Sequence, residues 1–290
     1  YMKELNFNVD FAPVADIFSN PANTVIGNRA FGNDPEAVSE MVAMMVQGLQ
    51  KEGIFATLKH FPGHGDTLED SHSGYANCRK NMEELKECEL QPFDAGISAG
   101  ASFVMAGHIS LPEILGDQTP ASLSHEIISG VLREEMGFEG VIITDALNMG
   151  AISENYSSDE AVVRAVEAGV DSVEHGNYID PETIRELADS DSVWVPTLVT
   201  IRNLRGCGRY KESVLDPIIE LAAKNLRLAY KYRAKVALGS DAGAYMVLHG
   251  KGLMDEYQAF MDILGESGDV RAWLADGEKR IQDTFRRPES

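Results

Sequence analysis

With 290 residues, 44% of them hydrophobic, the chain can bury the core of one large domain or of two small ones. Its 46 acidic residues against 25 basic ones give a formal net charge of -21. That charge repels phosphate backbones and anionic lipid surfaces, so neither nucleic acid nor membrane partners are expected. No apolar run approaches the roughly 18 residues that span a bilayer and no signal-peptide pattern opens the sequence, which together favour a cytoplasmic protein.

The cysteines point to the same compartment. Cys78, Cys88 and Cys207 are odd in number and show no C-x-x-C spacing. Neither a disulfide framework nor a cysteine zinc site is therefore predicted, and a reducing cytoplasm suits three free thiols.

Short apolar runs alternate with longer amphipathic stretches, which is typical of β-α units and a parallel sheet. The runs cover residues 6–11, 55–59, 103–107, 141–144, 172–174, 193–197 and 236–239. A closed TIM-type (β/α)8 barrel has eight strands, so seven runs predict this α/β barrel or an incomplete version of it. An incomplete barrel leaves a strand edge that a helix or a second subunit must cover, and a homo-oligomer is one hypothesis.

Apolar residues at helical spacing predict helices between the strands. These helices cover residues 35–51, 82–99 and 123–136. Ser157 with Glu160 resembles a capping box, which predicts a further helix over residues 161–168.

A loop rich in glycine, histidine and acidic residues follows the second predicted strand, over residues 58–72. In a parallel barrel the loops after the strands build the active site, so chemistry is expected here. The alternative interpretation is a polar surface turn, in which Gly, Asp and Ser only satisfy the turn geometry.

A single carboxylate, Asp145, follows the apolar run 141–144. It is either a catalytic group at the barrel mouth or the N-cap of the next helix, a position that favours Asp.

Five segments, taken in order, resemble one known family. They are residues 6–16 (NFNVDFAPVAD), 27–32 (GNRAFG), 59–72 (KHFPGHGDTLEDSH), 105–108 (MAGH) and 144–149 (TDALNM). Over about residues 1–155 they look like family 3 glycoside hydrolases, in the bacterial β-N-acetylglucosaminidase branch. The resemblance implies a retaining glycosidase that needs no cofactor and acts on glycans containing N-acetylglucosamine.

The same resemblance implies roles for individual residues. Asp145 would be the nucleophile, His72 the general acid/base and Asp70 its partner. The glycone would be bound by Arg29, Lys59 and His60. A histidine suits the acid/base role because its ordinary pKa lies near neutrality, and a nearby carboxylate orients the ring and favours its protonated form.

Two further histidines of these segments, His64 and His108, are either pocket walls or structural residues held by hydrogen bonds, and the structural interpretation is favoured. The sequence contains no Asp-x-Glu-Gly-Gly-Arg motif, with which this family normally supplies a sugar-binding aspartate. Weak or lost activity is therefore expected.

After about residue 160 the pattern changes. Residues 165–176, 196–198 and 239–243 resemble the last strands of metal-dependent amidohydrolases, in the imidazolonepropionase-like and prolidase-like branch. That resemblance, over about residues 160–265, implies that His175 is a metal ligand and Asp241 a ligand or general base. The other ligands of such a site have no counterpart here, and zinc needs about three or four, so no metal is predicted.

The two resemblances together predict a chimera of two half barrels, residues 1–158 and 159–290, within a single barrel domain. Three functions stay open from the sequence. The first is a β-N-acetylglucosaminidase, the second an engineered barrel without efficient catalysis, and the third a metal-dependent amidohydrolase.

Overall fold

Parallel strands organise the chain, described by a computed structural model over residues 2–67, 74–176 and 178–285. Its strands are β1 (Val9–Asp10), β2 (Phe55–Phe61), β3 (Ala76–Asn77), β4 (Phe103–Ala106), β5 (Ile109–Ser110), β6 (Val141–Thr144), β7 (Ser172–Glu174) and β8 (Val193–Val195). Six of them form one parallel sheet in the order β1-β2-β4-β6-β7-β8, and β3 pairs with β5 in a small second sheet.

All seven apolar runs predicted as strands lie in the main sheet. Six of them give its paired strands, and the seventh joins through one parallel bridge between Trp194 and Val236. Among the described residues the sheet does not close, because β1 pairs with β2 alone and the Val236 segment pairs with β8 alone. The prediction of an incomplete (β/α) barrel is confirmed.

Helices connect these strands. They are α1 (Pro35–Lys51), α2 (Met82–Glu87), α3 (Gln91–Ser98), α4 (Pro112–Leu115), α5 (Gly150–Ser153), α6 (Ser158–Ala168), α7 (Thr183–Asp189), α8 (Val199–Arg202), α9 (Glu212–Tyr232), α10 (Gly252–Leu264) and α11 (Gly268–Phe285). Short 3-10 helices cover Lys3–Leu5, Gly27–Arg29 and Ala121–Leu123, and a π-helix covers Glu126–Glu135. In the described part of the chain, none of these helices combines the length and the apolar composition needed to cross a membrane.

Local sequence explains where the predicted helices hold and where they differ. Helix α1 has the predicted bounds, because the Asp34 carboxylate accepts a hydrogen bond from Ala37 N at 3.2 Å and caps it. The helix predicted over residues 82–99 is instead two helices, α2 and α3. Pro92 lies in the first turn of α3, where its missing N–H needs no partner, whereas inside a longer helix it would break the hydrogen-bond ladder.

The other two helix predictions were partly right. Ser157 Oγ accepts from Glu160 N at 3.2 Å and caps α6, but the Glu160 side chain bonds Arg164 Nε at 2.9 Å instead of completing a capping box. Residues 123–136 contain the π-helix, a wider coil than the α-helix that the spacing predicted.

The boundary predicted at residues 158/159 falls inside the continuous sheet. Strand β6 precedes it and β7 follows it, and the two pair in parallel with Ile143 opposite Ser172. The carboxylate of Asp171 accepts hydrogen bonds from Ile142 N at 2.8 Å and from the guanidinium of Arg133. Backbone pairing and a partly buried ion pair therefore join the two segments.

Helix α11 packs against the Val236 segment and against side chains of the main sheet. Trp273 Nε1 donates to Ala234 O at 2.7 Å, and a Cβ on Gly277 would lie 2.0 Å from Val236 O. Further along α11, Ile281 contacts two apolar clusters of strand residues. These clusters are Phe103, Met105, Val141 and Ile143 on one side and Val193, Val195 and Ala237 on the other. The helix thus depends on a close approach that only glycine permits at residue 277.

We expect Gly277→Ala to lower the free energy of unfolding by about 2 kcal/mol, because the added methyl group forces α11 away from Val236. Gly48→Ala in α1 is the matched control, since its Cβ meets no atom within 4 Å, and it should stabilise by about 0.5 kcal/mol. Urea unfolding of both variants tests this; equal stabilities would refute the close packing of α11.

Candidate active site

The C-terminal ends of neighbouring parallel strands bring four residues of the predicted sites to one edge of the sheet. Lys59 and His60 lie on β2, Asp145 directly follows β6, and His175 directly follows β7. Asp145 lies within electrostatic reach of His60, His175 and Lys59. One mouth of the sheet therefore holds a carboxylate among cationic and imidazole groups.

Asp145 is held as a carboxylate. Burial on its own would raise its pKa, but His108, His60 and a 2.8 Å hydrogen bond from Ala146 N hold the pKa below its ordinary value. The N-cap alternative was wrong, because the next helix, α5, begins only at Gly150 and follows Met149.

Lys59 and Arg29 bring positive charge to this mouth. Burial is the main cause that lowers the pKa of Lys59, with Arg29 acting in the same direction, while Asp145 and Asp10 oppose it. Arg29 ends the 3-10 helix Gly27–Arg29, is exposed, and donates from its guanidinium to Val25 O at 3.0 Å. The structure thus brings Lys59 within electrostatic reach of both Asp145 and Arg29.

A buried carboxylate, Asp16, fixes His60. Its oxygens accept from His60 N at 3.2 Å and from His64 N at 2.6 Å, and Oδ2 lies 2.8 Å from His60 Nδ1. Burial opposes ionisation of Asp16, but the charge and hydrogen bond of His60 and the charge of His64 outweigh it and hold the pKa below the ordinary value. From the sequence, Asp16 is part of a family motif but has no predicted role. The available signal was an acid within an otherwise apolar segment, residues 11–17.

The loop after β2 is not a surface turn in its described part. Residues 61–65 and 67 are buried, and a Cβ on Gly65 would lie 1.5 Å from Ile17 O. Asn23 Nδ2 donates to His64 O at 2.7 Å and to Thr67 O at 2.8 Å. The polar-turn alternative is therefore wrong up to residue 67. His72 and Asp70 lie outside the described residues.

His64 and His108 are buried and hydrogen-bonded, in agreement with the structural interpretation. His64 Nδ1 lies 2.6 Å from Thr67 Oγ1. His108 lies between Ser122 Oγ, 2.7 Å from Nδ1, and Ala146 O, 3.0 Å from Nε2. His108 also supports the site, because its charge is the largest single favourable influence on Asp145.

A cavity of about 950 Å³ opens beside these groups. Lys59, His175, Thr197 and Asp241 line it at the strand ends, and Phe55 and Phe103 line it where β2 and β4 begin. Its volume lies within the usual range of small-molecule sites. Among residues 2–67, 74–176 and 178–285, no three His, Cys, Asp or Glu side chains are arranged to hold a metal ion.

This chain matches the glycosyl hydrolase family 3 N-terminal domain over residues 1–190. It belongs to that family. The match passes the boundary predicted at 158/159 and includes His175. The amidohydrolase resemblance and the predicted chimera gain no support from it.

Relatives of this family 3 chain carry hexosaminidase names. Beta-hexosaminidase A of Pseudoalteromonas piscicida is 36% identical in a 201-residue alignment that covers 64% of this chain and 33% of that protein. A beta-hexosaminidase of Stenotrophomonas maltophilia is 42% identical over 166 residues, covering 57% of this chain and 48% of its own. The chain therefore spans about half or less of these relatives.

A solved structure of the family is similar over most of the chain. The glycoside hydrolase family 3 beta-N-acetylglucosaminidase from Paenibacillus sp. str. FPU-7 is 33% identical with a TM-score of 0.58, covering 88% of this chain and 45% of that one. The family 3 likeness in three dimensions thus extends well into the second half of the sequence.

Asp16→Asn should destabilise the protein by about 3 kcal/mol at neutral pH, because it leaves buried N–H groups of His60 and His64 without a carboxylate. The folded pKa of Asp16 is lowered, so its stabilisation is complete above the ordinary value of 3.8 and is lost as pH falls through the folded pKa. The two proteins should therefore converge in stability in acid.

Unfolding free energies of Asp16→Asn and the unaltered chain between pH 7 and pH 3 provide the measurement. The exposed Asp189→Asn is the control and should leave stability within about 0.5 kcal/mol. A constant difference between the Asp16 variant and the parent across this range would show that the carboxylate charge is not what stabilises the loop.

Proposed function

We propose that this chain hydrolyses β-linked N-acetylglucosaminides with retention of configuration. The observation that carries the proposal is the ionised Asp145 at the mouth of the sheet, surrounded by His60, His108 and Lys59. The hexosaminidase and acetylglucosaminidase relatives support the choice of sugar.

Asp145 suits the role of nucleophile. A carboxylate that attacks an anomeric carbon must be ionised, and the neighbouring charges favour that state despite burial. Its Oδ1 accepts from Ala146 N at 2.8 Å, which restrains the side chain close to the β6 backbone. The hydrogen bond thus favours one orientation of the attacking group.

The proposed reaction has two steps. An Asp145 oxygen bonds to the anomeric carbon while the bond from that carbon to the leaving oxygen breaks, and His72 gives its proton to that oxygen. Water then gives a proton to His72, and the water oxygen displaces Asp145 from the anomeric carbon. Asp70 is proposed to orient the His72 ring. Both residues are assigned by family resemblance, and the described chain on either side ends at Thr67 and resumes at Gly74.

Arg29, Lys59 and His60 are proposed to bind the glycone. Lys59 lines the cavity. Asp16 holds the Nδ1 side of the His60 ring, so Nε2 faces away from that carboxylate.

Asp145→Asn should lower the hydrolysis rate of 4-nitrophenyl N-acetyl-β-glucosaminide by at least about a thousandfold, because the amide cannot form the glycosyl intermediate. The exposed Asp94→Asn in α3 is the matched control and should retain the parent rate. Equal rates for Asp145→Asn and the parent chain would refute the proposed function.

His72→Asn tests the proton donor separately. The loss of rate should be far larger for a methyl N-acetyl-β-glucosaminide than for the nitrophenyl substrate, because nitrophenolate leaves without a proton. The ratio of the two rates in parent and variant is the measurement. An equal loss on both substrates would remove His72 from the acid role while leaving Asp145 as nucleophile.

A further inference from the structure

Three neighbouring strand segments end in residues with left-handed backbone. His175 follows β7 with φ 63°, Thr197 follows β8 with φ 47°, and Asp241 follows the Val236 segment with φ 46°. All three line the cavity. This conformation is unfavourable for L-residues and most of all for a β-branched one such as Thr, and such strain clusters at functional sites.

Buried hydrogen bonds hold this backbone in place. Glu256 on α10 accepts from Leu198 N and Val199 N at 2.9 Å each, directly after Thr197. Trp194 Nε1 donates to His175 O at 2.7 Å. The left-handed residues are thus fixed by the fold rather than by their own preference.

The hydrogen bonds of Thr197 decide which nitrogen of His175 carries the proton. The Thr197 hydroxyl donates to Pro196 O at 2.8 Å, so it must accept from His175 Nδ1, which lies 2.6 Å away. Burial lowers the pKa of His175, against the charges of Asp241 and Asp145, and favours the neutral ring. In that ring Nε2 is the hydrogen-bond acceptor.

Two acids complete this side of the cavity. Glu174 is buried, and its Oε1 accepts from Ser172 Oγ at 2.7 Å. Burial raises the pKa of Glu174 to about 7 and also raises that of Asp241, which His175 opposes. Burial therefore disfavours the ionised form of both acids, and this wall presents hydrogen-bond donors and acceptors side by side.

A wall with both donors and acceptors suits hydroxyl groups, because each hydroxyl donates one hydrogen bond and accepts others. A lone cation would meet the charge of Lys59, which also lines the cavity. A sugar ring presents several hydroxyls at once and fits within about 950 Å³.

We propose that His175 Nε2, positioned by Thr197, and Asp241 bind hydroxyl groups of a sugar ring on the β7–β8 side of the cavity. The choice of sugar rests on the proposed function, with N-acetylglucosamine as the probe. His175 and Asp241 bind the ligand, and Thr197 is a positioning residue.

Calorimetric titration with N-acetylglucosamine tests the proposed sugar binding by His175 and Asp241. His175→Asn should weaken affinity about tenfold. Asparagine tolerates the left-handed backbone, so the variant should fold, and thermal unfolding checks this. The exposed His125→Asn is the matched control and should bind like the parent. Equal affinities of His175→Asn and His125→Asn would overturn the proposal.

Thr197 is tested by a conservative pair. Thr197→Ser keeps the hydroxyl and should keep affinity, whereas Thr197→Val removes the acceptor for Nδ1 and should weaken binding severalfold. The ¹⁵N spectrum of His175 should show a protonated Nδ1 and an unprotonated Nε2, with Nε2 shifting on sugar addition. A protonated Nε2 in the neutral ring, or no shift with sugar, would overturn the assignment.

The outcomes separate this proposal from the catalytic one. If Asp145→Asn loses hydrolysis and His175→Asn keeps its sugar affinity, the proposed function stands and the proposed sugar binding by His175 and Asp241 is overturned. If Asp145→Asn keeps its hydrolysis rate and His175→Asn binds the sugar more weakly, the catalytic assignment is overturned and the proposed sugar binding by His175 and Asp241 stands.

Discussion

The parallel register of the main sheet is the constraint on which the site depends. Met105 lies opposite Ile143, Ile143 opposite Ser172, and Ser172 opposite Val193, so these strands end at nearly the same level. Each strand delivers its next polar residue to the same mouth, where Asp145 and His175 become neighbours although 29 residues lie between them in the chain. A shift of one residue between strands would turn these side chains to the other face.

Charge balance around Asp145 follows from that convergence. A buried carboxylate is costly unless charges or hydrogen bonds offset its desolvation. Here His108, His60 and a hydrogen bond from Ala146 N provide most of the offset, and Ser122 and Asp16 in turn hold the two imidazoles. The imidazoles therefore have fixed positions around the carboxylate.

Buried acids near the β2 end and near the β7–β8 end of the sheet have pKa values shifted in opposite directions. On the β2 side, Asp16 meets two backbone N–H groups and an imidazole, and its pKa falls. On the β7–β8 side, Glu174 and Glu256 have fewer charged neighbours, and burial raises the pKa of each to about 7. An ionised Asp145 on one side and buried acids with raised pKa values on the other thus give the two sides of the site different electrostatic character.

Much of this arrangement was predictable from the sequence, because the period of apolar residues and the motif residues are local properties. The seven apolar runs, helix α1 and the delivery of Asp145 by β6 all follow from short segments. Tertiary structure alone decided which polar residues meet. It bonded Asp16 to His60 across 44 positions, set the tautomer of His175 through Thr197 and let α11 pack on Val236 through Gly277. Periodicity carries no information on such contacts, because they depend on how distant strands and helices pack together.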